Sequence, residues 1–122
     1  MGRLKQPERA ELDAEQTRIY DEIVASRGSI DGPFRAWLYR PVLADRAQRL
    51  GEYVRYDTSL EPRLSELAIL VTARFWDCQL EWTLHESCAQ EGGLPEGLID
   101  AVRHRRQPEF AHANERCVYE YA

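Results

Sequence analysis

The sequence holds no apolar run near the ~20 residues that a helix needs to cross a bilayer. Its first residues, through Arg9, carry no apolar stretch of the kind found in secretory signals, so a cytoplasmic protein is expected. Lys and Arg are not gathered into a stripe, and the net charge is −5. An acidic chain without a basic patch argues against nucleic acid and anionic membranes as partners. Cysteine is scarce: Cys78, Cys88 and Cys117 are the full set. They form neither a Cys-x-x-Cys pair nor a four-ligand zinc spacing. Cys78 and Cys88 on one helix stand about 15 Å apart, too far for a disulfide. An odd count in an unsecreted chain points to reduced thiols. Period-two alternation and internal repeats are also missing, which leaves an all-α fold.

What is present fits one helical domain spanning residues 1–122, with residues 1–11 polar and loosely held. Asp13 with Gln16 has the form of a capping box, with Leu12 as staple. The helix it opens carries Ile19, Tyr20, Ile23 and Val24 and ends near Ser26, with Gly28 just beyond. Pro33 opens a short turn through Phe34, Trp37 and Leu38. Pro41 starts a helix to about Tyr56, with an apolar stripe of Leu43, Ala47, Leu50 and Val54. Thr58 or Ser59 can cap the next helix, whose first turn holds Pro62. Its inward residues are Leu60, Leu64, Leu67, Val71 and Phe75, with Ile69, Leu70 and Ala73 on a second side. A central helix runs on to about Gln90 and stops at Gly92 and Gly93. Another follows from Leu94 and Pro95, with Leu98, Ala101 and Val102 inward. It ends at the basic run Arg103 to Arg106, which suits a helix C-terminus. A last helix starts near Glu109, with Phe110, Ala113, Cys117, Val118 and Tyr121 on its apolar side.

Chemistry gathers in the stretch from Phe75 to His85. At about 100° per residue, Cys78, Glu81, Trp82 and His85 share one helical stripe. Glu81 and His85 are spaced i, i+4, so the carboxylate can orient the imidazole. An imidazole titrates near neutral pH and suits proton transfer. Glu66, among apolar neighbours, needs either solvent or a partner. Trp82 reads as a pocket or core wall. His104 and His112 read as surface residues, and Cys88 and Cys117 as small buried groups. The bland alternative is a structural His85 held by Glu81 or Glu66.

The order Glu66, Cys78, Glu81-Trp82, His85 resembles the signature of the carboxymuconolactone decarboxylase family, whose superfamily includes the alkylhydroperoxidase-D-like antioxidants. Gly32-Pro33-Phe34 with Tyr39-Arg40-Pro41, the run Arg63 to Leu70, and Gly93-Leu94-Pro95 with Ile99 add to the resemblance, over roughly residues 28 to 122. In the antioxidant branch a Glu precedes Cys-x-x-Cys and a His follows. Here Cys78 matches the first cysteine, and Glu81 stands where the second would be. Glu-Trp-x-x-His resembles the decarboxylase-like branch instead.

The resemblance implies an all-α alkylhydroperoxidase-D-like domain, shortened at its C-terminus or leaning on a partner there. It implies a cofactor-free, metal-free lyase acting on a small lactone or carboxylated organic acid. Glu66, Cys78, Glu81 and His85 would be the catalytic set, with His85 moving the proton, Glu81 orienting it and Glu66 tuning it. Arg74 and Trp82 would bind substrate, and the chain would form a trimer or hexamer. The alternatives are a thiol-dependent peroxidase acting through Cys78, a metal site of Glu66, Glu81 and His85, and a non-catalytic helical oligomer.

Overall fold

The computed structural model describes residues 4–122, all of whose regular structure is helical. No helix among them is long and apolar enough to cross a membrane. The first three residues of the N-terminal segment expected to be loosely held lie outside the described residues. Contacts divide the chain into two compact units, one ending at Asp57 and one spanning Thr58–Ala122.

The first unit holds a 3-10 turn (Arg9–Glu11) and helices α1 (Ala14–Arg27), α2 (Phe34–Trp37) and α3 (Pro41–Tyr56). Asp13 and Gln16 form the expected reciprocal capping box. Gln16 also donates to the carbonyl of Leu38 at 2.9 Å, tying the start of α1 to the end of α2. Gly28 closes α1 in the left-handed region at φ 80°, which glycine adopts without a Cβ clash. Arg9 grips Asp21 with two parallel hydrogen bonds of 2.9 and 2.7 Å.

Ile19, Ile23, Ile30, Leu38 and Ala44 form the core of this unit. The face that α3 buries differs from the expected one: Ala44 and Gln48 are inside. Leu43, Leu50 and Val54 are exposed, Leu50 by 65%. Ala44 is small enough for close helix approach, and the larger apolar stripe turns outward.

The second unit holds α4 (Pro62–Phe75), α5 (Gln79–Glu91), α6 (Glu96–Arg103) and α7 (Ala113–Tyr121). Pro62 occupies the first turn of α4, as its lack of an N–H favours. Neither Thr58 nor Ser59 caps this helix. Glu61 holds the cap position, and Thr58 Oγ1 accepts from the Leu60 N–H instead. Leu67, Leu70, Trp82, Ala89, Leu94, Leu98, Ile99 and Val102 form the core.

The helix expected to start at Phe75 starts at Gln79 instead, and Phe75 ends α4, leaving a break between the two helices. Asp77 takes φ 51°, Cys78 N–H donates to Ala73 O at 2.8 Å, and Asp77 N–H to Arg74 O at 3.3 Å. That pair of bonds is a Schellman closure, normally made with glycine. α6 ends the same way at Arg105, with φ 53°, and Arg106 N–H donates to Ala101 O at 2.8 Å. The two left-handed residues hold each other. Nη2 of Arg105 donates to Oδ2 of Asp77 and to the carbonyl of Arg74, both at 3.0 Å. The break also turns Phe75 outward, 71% exposed, where the pattern had placed it inside.

Arg105, and secondarily Arg74, hold the Asp77 carboxyl below its ordinary range. A depressed carboxylate contributes stability above its unfolded pKa of about 3.9. That contribution fades as pH falls through the lowered value. Asp77→Asn is therefore expected to flatten the acid limb of a thermal-melt pH series. Asp77→Ala is expected to lower the melting temperature further, because alanine lacks the short polar side chain that eases left-handed geometry.

Helix α7 begins at Ala113 rather than near Glu109, and of the expected apolar side Phe110 and Val118 pack inward. Glu115 is 1% exposed, and Phe110, Val118 and Tyr119 pack on the core. Ala113, Cys117 and Tyr121 face outward, and Cys88 is half-buried, so neither Cys88 nor Cys117 is the buried small group expected. Glu115 sets the rotation of the helix. Its Oε1 accepts from Arg63 of α4 at 2.7 Å, and its Oε2 accepts from the His112 N–H at 3.0 Å.

Candidate active site

Helices α4 and α5 are joined by a three-residue link, so they run back alongside each other. Glu66 lies nine residues before Phe75, and His85 nine residues after Trp76. Equal distances from the turn bring them face to face. Nδ1 of His85 and Oε2 of Glu66 are 2.7 Å apart, with both side chains buried. A carboxylate oxygen accepts, so Nδ1 carries the hydrogen of this bond. The other ring nitrogen, Nε2, stands 3.4 Å from Oε2 of Glu81, one turn earlier on α5.

Glu81 leads outward. With Cys78, Trp76, Ala73, Thr72 and Ile69 it lines a largely apolar cavity of about 340 Å³. Cys78 sits at the N-cap of α5, just outside the helix, and its carbonyl accepts from Trp82 N–H at 3.0 Å. Of the four residues expected on one stripe, Cys78 and Glu81 reach this cavity, while Trp82 and His85 are packed into the core. The two carboxylates separate: Glu66 meets Nδ1 in the buried interior, and Glu81, near Nε2, stands at the cavity wall.

The two residues expected to bind substrate are not brought to this cavity. Trp82 is buried, and its Nε1 donates to Oε2 of Glu86 at 3.1 Å. The Arg103 guanidinium lies 5.7 Å from its ring and pairs with Glu86. Arg74 turns to Asp77, with Nη1 to Oδ1 at 3.1 Å, and lines a separate cavity. His104 and His112 are exposed, as their surroundings in the sequence suggest.

Ile69, Thr72 and Trp76 were not singled out as cavity residues. With Ala73 they follow the i, i+3, i+4, i+7 spacing of a second stripe on α4, which is the signal that marks them. Glu66 and Glu81 contact opposite nitrogens of one ring, so they do not converge on a common point. Among the described residues, no group of three or more His, Cys, Asp or Glu is arranged to hold a metal ion. In comparison with known proteins, no family model, curated protein or solved structure matches this chain.

Proposed function

We propose that this protein is a cofactor-free acid–base catalyst of the carboxymuconolactone decarboxylase kind, acting on a small lactone or carboxylated organic acid. One observation carries the reading: a buried carboxylate–imidazole pair meets a second carboxylate that opens onto an apolar cavity. In a decarboxylation the C–C bond to the carboxylate breaks and carbon dioxide leaves. The electron pair stays on the adjacent carbon as an enolate. That carbon then takes a proton from the Glu81 carboxyl. The His85 imidazolium passes its Nε2 proton to the Glu81 carboxylate and becomes neutral, and a solvent proton entering by way of Glu81 restores Nε2. Glu66 stabilises the imidazole while its charge changes.

The test is proton exchange. The full chain is incubated in D2O with a panel of small lactones and lactone carboxylates, and deuterium uptake and carbon dioxide release are followed by NMR. Wild type is expected to label the carbon next to the carbonyl or to release carbon dioxide, with His85→Ala at background. Equal rates for the two proteins exclude the mechanism.

Cys78 on the same cavity wall supports a second reading, a thiol-dependent peroxidase. The thiolate would attack a hydroperoxide oxygen, releasing an alcohol and leaving a sulfenic acid, which an added thiol reduces. Cys88 and Cys117 do not line this cavity, so the second thiol would come from outside. Hydroperoxide turnover abolished by Cys78→Ser supports this reading, and turnover unchanged by it ends the reading.

The three free cysteines accord with a reducing, cytoplasmic setting. The outward stripe of α3 supports self-association into a homo-oligomer, and the family resemblance implies a trimer or hexamer. Leu50→Glu is expected to shift the sedimentation coefficient to that of a smaller species. An unchanged coefficient removes α3 from the interface.

A further inference from the structure

The second unit carries another cavity, of about 210 Å³, that the proton relay does not use. Its walls are Val71, Phe75, Val102 and Tyr119, with Arg74 and Arg105 beside them. We infer that it binds a small organic acid: a carboxylate carrying a compact apolar tail.

Two arginines here share one carboxylate. Asp77 accepts from Nη1 of Arg74 at 3.1 Å and from Nη2 of Arg105 at 3.0 Å. Two guanidinium charges against one carboxylate leave a positive charge at the cavity. Donors are left over as well. Arg105 uses Nη2 alone for both of its hydrogen bonds. A planar carboxylate fits guanidinium donors with charge-assisted bonds. The valines and aromatic rings that line the same cavity take an apolar tail. A bare inorganic anion would leave the apolar walls unused, and a neutral molecule would leave the guanidiniums unused.

This site stands independently of the relay, because none of its residues lines the Glu81 cavity. The probe is benzoate, titrated into the full chain and followed by amide NMR. Benzamide and inorganic phosphate serve as the uncharged and the tail-less controls. Benzoate is expected to shift amides around Val71 to Asp77, Val102 to Arg105, and Tyr119. Both controls are expected to bind roughly tenfold more weakly or worse. Arg105→Gln and Arg74→Gln should each weaken benzoate by about tenfold. Asp77→Asn should strengthen it, because the competing carboxylate is gone. That gain separates ligand binding from a purely structural role, since the same substitution removes an ion pair from the fold. Equal binding of benzamide or phosphate overturns the inference. So do unchanged affinity in both arginine variants, weaker binding in Asp77→Asn, shifts confined to the Glu81 cavity, or no binding.

Discussion

Glu115→Ala is expected to destabilise the second unit by about 3 kcal/mol, the scale for removing one partner of a buried ion pair. Three losses coincide. The Arg63 guanidinium loses its 2.7 Å partner while remaining largely covered. The His112 N–H at the start of α7 loses its acceptor. The space of a side chain only 1% exposed is emptied. Arg63 keeps Glu61 at 3.0 Å, but that carboxylate is exposed and a weak substitute. Glu115→Gln keeps the shape and an acceptor for the cap, so its cost should be clearly smaller. Urea denaturation of the two variants beside wild type checks the order. Equal loss in both would mean that charge alone matters, and no loss in either would remove Glu115 from the account of α7.

Glu66→Gln is expected to leave the fold standing and lower proton-transfer activity by about a hundredfold or more, within the range of general acid–base contributions. The amide keeps the volume of the carboxylate and can still accept from Nδ1 of His85. It cannot balance the charge that the imidazole gains when Nε2 takes a proton. Glu66→Ala should add a stability cost of about 3 kcal/mol, from a cavity and an unpaired buried donor. The contrast between the variants separates structural from catalytic roles. If Glu66→Gln loses as much stability as Glu66→Ala while activity in the folded fraction is unchanged, the pair is structural only.

The sequence exposed the helical fold because its signals are local. The capping box at Asp13 and Gln16, Gly28 past α1 and Pro62 opening α4 each act within one turn of the residue they control. The i, i+4 relation of Glu81 and His85 is equally local. Glu66 read as a carboxylate in need of a partner, with His85 one of the candidates. Which partner it meets depends on the turn that sets α4 against α5. The place and closure of that turn were hidden because Asp77 and Arg105 do a task usually given to glycine, and their mutual ion pair lies 28 residues apart in sequence. Arg74 went astray for the same reason, since the break points it at Asp77 and away from the relay. The α3 stripe shows a different limit. Periodicity identified an apolar face, but the residues that α3 buries are Ala44 and Gln48.

Nitrogen-15 NMR of the His85 ring tests the relay most directly, with wild type compared to Glu66→Gln and Glu81→Gln. A relay requires Nδ1 to carry a hydrogen in a strong bond that weakens in Glu66→Gln, and an Nε2 signal that responds to Glu81→Gln. A ring protonated at Nε2 alone, or one indifferent to both substitutions, would contradict it.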